Sequence, residues 1–160
     1  MDSIENNILD LLISRGLTLG VVESATGGLI SHRLTNVPGI SGIYKGGITA
    51  YANETKMNAL GVAATTLERF GAVSSEVAEE MAAGGRQALK VDICLSDTGI
   101  AGPGGATPTK PLGLFYFGLA HSGGVASRKH LFTGCREENK IAAADIGLGW
   151  LRDYLMGLPQ

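Results

Sequence analysis

Three short segments carry residue types that can do chemistry. The first is Glu23-Ser24-Ala25-Thr26-Gly27-Gly28, which follows the apolar run Leu17 to Glu23. A serine at a turn from a buried strand into a helix presents its hydroxyl beside free backbone N–H groups and the positive end of the helix dipole. Such a place stabilises an anion, either a phosphate or a tetrahedral oxyanion. The same residues also read as a plain helix start, with Ser24 or Thr26 as the cap. The pattern is not G-x-S-x-G, so the hydrolase elbow is not matched.

The second segment is Tyr51-Ala52-Asn53-Glu54-Thr55-Lys56. A lysine on a helix is ordinarily a solvated surface charge. Placed in the first turn of its helix and aimed at a site, Lys56 would have its pKa lowered by burial and by the helix end. A neutral amine can then take the proton of a serine hydroxyl. The histidines, His32, His121 and His130, are scattered and none sits in a strand-to-helix loop, so a Ser-His-Asp triad is not supported.

The third segment runs Ser96-Asp97-Thr98-Gly99-Ile100-Ala101-Gly102-Pro103-Gly104-Gly105. Its glycines let successive N–H groups converge on an anion, or simply serve a long turn that needs positive φ. It lacks the G-K-[ST] ending of a phosphate-binding P-loop and the G-x-G-x-x-G of a dinucleotide fold. Thr98 falls at a strand end, within reach of a ligand. Arg136 opens the last helix, where a cation is disfavoured unless it holds an anion. Cys135 beside it is a weaker candidate nucleophile, with no His or Asp adjacent.

The elements that must position these residues follow from periodicity. Ile4, Ile8, Leu11 and Leu12 mark a helix over 3–15 that stops at Gly16. Strands are expected at 17–23, 44–51, 91–97, 112–120 and 125–132. The last two are joined by a Ser-Gly-Gly turn into an antiparallel hairpin. Helices are expected up to Leu34, over 52–60 and 74–90, and over 137–155, with a helical turn at 66–70. Gly84-Gly85 weakens the 74–90 helix by roughly 1 kcal/mol per glycine. Alternating strands and helices predict a three-layer α/β/α sandwich around a mixed, mostly parallel sheet of about five strands. Ligands in such sheets bind outside the carboxyl ends of the strands, which is where loops 23–28, 51–56 and 97–111 fall.

Composition narrows the function classes. The chain has 160 residues, 24 of them glycine, with 15 acidic and 13 basic side chains for a net charge of −2. One domain spanning 1–160 is expected. A weakly acidic chain without a basic cluster argues against nucleic-acid binding. Cys94 and Cys135 cannot make a disulfide framework, and no His or Cys pair has metal-ligand spacing. The acidic N-terminus is not a signal peptide, and no apolar run approaches the ~18 residues of a membrane span. These features predict a cytoplasmic protein with no metal, organic cofactor or membrane partner.

Taken together, ESATGG (23–28), GGITAYANETK (46–56), GAVSSEVAEEMA (71–82), TGIAGPGG (98–105) and KPLG (110–113) resemble the CinA C-terminal domain family, the stand-alone nicotinamide mononucleotide deamidases. The resemblance runs from about residue 3 to 155 and points to the single-domain form. It implies hydrolysis of the carboxamide of nicotinamide mononucleotide to nicotinic acid mononucleotide and ammonia. By motif, it assigns Ser24 as nucleophile, Lys56 as base and Tyr51 as an auxiliary hydrogen-bonding group. Thr26, Gly27, Gly28, Thr98, Gly99, Gly102 and Arg136 become substrate contacts. N–H groups of 24–28, at the helix start, would hold the oxyanion, and either the glycine loop or Arg136 the phosphate. Relatives often carry Asp in place of Cys135 and Arg in place of Lys140. The alternatives are a non-catalytic nucleotide-binding or interaction domain of the same fold, and a Ser/Lys amidase for another small amide. A symmetric homo-oligomer is expected for a small enzyme of this class.

Overall fold

The computed structural model describes residues 3–159. Five strands form one sheet in the order β2-β1-β3-β4-β5. They are β1 (Leu19–Glu23), β2 (Tyr44–Thr49), β3 (Ile93–Gly99), β4 (Leu114–His121) and β5 (Gly124–Leu131). β1 pairs in parallel with both β2 and β3, whereas β4 pairs antiparallel with β3 and with β5. Four strands therefore point one way and β4 alone runs against them. This is the mixed sheet that the hairpin signal implied.

Six helices cover the sheet: α1 (Ile4–Arg15), α2 (Leu29–Thr35), α3 (Asn53–Leu60), α4 (Ala64–Phe70), α5 (Ser75–Leu89) and α6 (Arg136–Gly157). On one face α1, α2 and α6 enclose a core of Ile8, Leu12, Val21, Ile30, Leu95, Phe117, Leu148 and Leu151. On the other, Val77 and Met81 of α5 and Leu60 of α3 cluster with Val22 and Cys94 of the sheet. Leu19, Val21 and Val22 are all fully buried, as expected of a strand covered on both faces.

The glycine pair inside α5 has a packing cause. A Cβ on Gly84 would lie 1.7 Å from the carbonyl oxygen of Leu60, and one on Gly85 would lie 2.5 Å from Val22 and 2.7 Å from the Cys94 sulfur. The loss of helix propensity is exchanged for direct contact of α5 with the sheet and with the end of α3.

β1 and β3 are neighbours whose following connections leave in opposite directions, α2 toward β2 and the glycine loop toward β4. This is the switch point at which an α/β sheet opens a crevice beyond its carboxyl ends. β3 extends through Gly99, two residues past the expected end at Asp97, so Thr98 and Gly99 belong to the strand. α2 starts at Leu29, which leaves 24–28 as the turn between β1 and the helix.

Candidate active site

A cleft of about 280 Å³ opens at that switch point, lined by Ser24, Tyr51, Lys56, Thr98, Gly102 and Arg136 among others. Ser24 follows the last residue of β1 and is buried, with 7% of its surface exposed. Lys56 is the fourth residue of α3. Its side chain runs under the cleft floor and is 1% exposed. Nζ lies 3.0 Å from Ser24 Oγ and donates to the carbonyl oxygen of Tyr51 at 3.1 Å.

Among the described residues no carboxylate forms an ion pair with Nζ. Burial pushes the Lys56 amine below the ordinary lysine range, opposed by the negative charge that Asp97 carries when ionised. Burial, one of the two causes expected, is the leading one. An uncharged amine 3.0 Å from a hydroxyl can accept its proton.

The turn after Ser24 departs from the expected cap. Neither Ser24 nor Thr26 caps α2; its cap position is Gly28, which has no side chain to bond. The Glu23 carboxylate folds over the helix start instead. Oε2 accepts from the N–H groups of Gly28 (2.9 Å) and Ile30 (3.1 Å), and Oε1 from the N–H (2.8 Å) and hydroxyl (2.7 Å) of Ser31. A carboxylate at a helix N-terminus satisfies its orphan donors and its dipole at once. Gly27 (φ +64°) and Gly28 (φ +100°) supply two successive left-handed residues that wrap the chain around it.

The expectation for Thr26, Gly27 and Gly28 as substrate contacts is therefore corrected. The Gly27 N–H donates to the Ser24 carbonyl, the Gly28 N–H to Glu23 and the Thr26 N–H to Asp97 Oδ1. Thr26 is 1% exposed, and its hydroxyl engages Glu23 and Asp97 rather than the cleft. Three of the donors expected to hold an oxyanion are thus already occupied. The Ala25 N–H is different: it has no acceptor among the described residues, and Ala25 lines the cleft beside Ser24.

The other expected residues converge on the cleft. Thr98 and Gly99 form its β3 wall, and the Thr98 hydroxyl donates to the Ala72 carbonyl at 2.8 Å, tying down the 71–74 loop. Arg136 opens α6 and bridges the mouth, donating to the Gly102 carbonyl (2.7 Å) and to the Tyr51 hydroxyl (2.9 Å). These bonds explain a cation at a helix start. Cys135 caps α6 and faces a neighbouring depression lined by Pro103, Leu112 and Asn139, away from Ser24.

Two acids went unassigned in the sequence reading. Glu23 was legible only as part of a motif. Asp97 is fully buried at the end of β3, and burial raises its carboxyl to about 7. The Thr26 hydroxyl holds it down, Glu23 pushes it up, and the N–H groups of Thr26 and Ser24 hold it down further. The available signal was an acid inside the apolar run Val91-Asp92-Ile93-Cys94-Leu95-Ser96-Asp97.

Comparison with known proteins bears on the family and the fold. The model of the CinA C-terminal domain matches residues 1–155. A CinA-like protein of Dictyoglomus thermophilum is 45% identical over 98% of the chain, which covers 38% of that protein. The chain spans 36% to 38% of the length of the curated relatives it matches. Among solved structures, the competence damage-inducible protein A of Klebsiella pneumoniae superposes with a TM-score of 0.94 at 29% identity, covering 98% of this chain and 97% of that one. A competence/damage-inducible protein of Agrobacterium tumefaciens gives 0.91 at 34% identity, covering 95% and 93%.

Proposed function

We propose that this chain, which belongs to the CinA C-terminal domain family, is an amidohydrolase that cleaves the carboxamide of nicotinamide mononucleotide through a Ser24 acyl-enzyme. The observation that carries the reading is the 3.0 Å contact between Ser24 Oγ and the buried amine of Lys56 at the floor of a cleft. The substrate rests on the motif resemblance, supported by the cleft's cationic mouth.

The chemistry follows from these groups. Lys56, uncharged, takes the Ser24 proton as Oγ bonds to the amide carbon. The pyridinium ring of the substrate withdraws electrons and makes that carbon more electrophilic. The Ala25 N–H, the donor left free beside the nucleophile, faces the developing oxyanion; one such donor is worth about 3 kcal/mol. The Lys56 ammonium returns the proton to nitrogen as the C–N bond breaks, releasing ammonia. A water then gives its proton to the same amine and attacks the acyl carbon. Collapse frees the carboxylate product and restores the Ser24 hydroxyl. Thr98 and Gly99 shape the wall, and Arg136 with the N–H groups of the Gly102–Gly105 loop meets the phosphate.

The test is ammonia release from nicotinamide mononucleotide, nicotinamide riboside and nicotinamide, followed in parallel. Turnover strongest with the mononucleotide supports the reading. Equal turnover of the riboside removes the phosphate role, equal turnover of nicotinamide removes the role of the pyridinium charge, and absence of release from all three overturns the assigned substrate.

A further inference from the structure

Thr26 Oγ1 stands between two carboxyl groups. It lies 2.6 Å from Glu23 Oε2 and also makes a short contact with Asp97 Oδ2. A hydroxyl has one proton and can donate to one carboxylate only. The other contact is attractive only where that carboxyl carries its own proton and donates it to Oγ1. The array Glu23–Thr26–Asp97 is thus built to hold a proton that two ionised acids would lack.

The remaining partners locate it. Glu23 accepts from four further donors, the N–H groups of Gly28, Ile30 and Ser31 and the Ser31 hydroxyl, an environment that suits an ionised acceptor. Asp97 is fully buried and has fewer donors, the N–H groups of Thr26, on Oδ1, and of Ser24, while Oδ2 faces Thr26 Oγ1. The proton chain therefore runs from Asp97 Oδ2 to Thr26 Oγ1 to Glu23 Oε2.

We propose that Asp97 is a positioning residue, protonated on Oδ2, that keeps Lys56 uncharged by withholding a negative charge from the cleft floor. This role rests on the Ser24–Lys56 reading; the proton assignment itself does not. The charged groups around Asp97 are Glu23 from β1, which opposes its ionisation, and Lys56 from α3. β4 contributes the apolar Phe117 opposite it. From α6, Lys140 approaches Gly27 and Arg136 stays at the cleft mouth. An ionised Asp97 would favour the ammonium form of Lys56 and so remove the base.

Two spectroscopic readouts that need no turnover test this in the intact chain. At about pH 6, infrared difference spectra of wild type and Asp97→Asn are expected to show one protonated carboxyl band that the substitution removes. In the same samples the Lys56 side-chain resonances are expected to report the same charge state in both proteins. The proposal is overturned if no protonated carboxyl band is lost. It is equally overturned if Lys56 is charged in wild type and uncharged in Asp97→Asn, since that pairs an ionised aspartate with the lysine. Should Asp97→Asn fail to fold, the carboxyl carbon of Asp97 in labelled wild type decides. Its resonance is expected to titrate near neutrality, and an ionised carboxyl throughout pH 5 to 8 refutes the assignment. Failure of the amidase reading appears separately, as absent ammonia release with both spectroscopic results intact.

Discussion

Tyr51 and Lys56 are joined through backbone, not side chain. The amine donates to the Tyr51 carbonyl at 3.1 Å, while the phenol turns outward, 60% of the residue exposed, to accept from Arg136. The β2–α3 connection therefore orients the base, and the tyrosine ring belongs to the rim of the cleft.

Tyr51→Phe separates these roles. It leaves the carbonyl contact with Lys56 in place and removes the acceptor for Arg136. The expected result is an increase in KM of about threefold to tenfold with kcat little changed, the signature of lost uniform binding. A large fall in kcat at unchanged KM would put the phenol in the chemical step instead.

Lys56→Met keeps the length of the side chain and removes the amine. Amide hydrolysis is expected to be lost while stability near neutral pH rises. The sign follows from the depressed pKa in the folded state. Between that value and the ordinary lysine value the unfolded chain binds more protons, so wild-type stability increases with pH across the window. The advantage of Lys56→Met should therefore shrink as pH climbs toward about 10. Thermal melts of both proteins from neutral to alkaline pH check it; a wild type more stable than the variant at neutrality would mean that the lysine is charged and well paired.

Glu23→Gln puts an amide where a carboxylate accepts from the start of α2. At least one N–H donor then faces the new NH2 group, and charge-assisted bonds become neutral ones. About 3 kcal/mol of destabilisation is expected for so buried a network, measured by urea unfolding. A change below about 0.5 kcal/mol would show that the cap is not a stability determinant.

The strand and helix order was readable because apolar runs and breakers are local signals. The nucleophile and base were readable as residue types in loops that the sheet topology brings together, Ser24 after β1 and Lys56 after β2. What escaped was set by long-range packing. A serine and threonine near a helix start look like caps, yet Glu23 takes that role because two left-handed glycines bend the chain back over it. Asp97 looks like the end of a strand until β1 delivers Thr26 beneath it. The same packing narrows the oxyanion donors: along the chain every N–H of 24–28 seems free, yet Thr26 is taken by Asp97, Gly27 by the Ser24 carbonyl and Gly28 by Glu23, which leaves Ala25.

The central claim is that Ser24 attacks and Lys56 receives its proton. Ammonia release from nicotinamide mononucleotide by wild type and by Ser24→Ala tests it directly, with a thermal melt of each protein alongside. The account predicts turnover by wild type and a loss of at least about 10³-fold in Ser24→Ala, at a melting temperature close to that of wild type. Turnover that survives in a folded Ser24→Ala would contradict it.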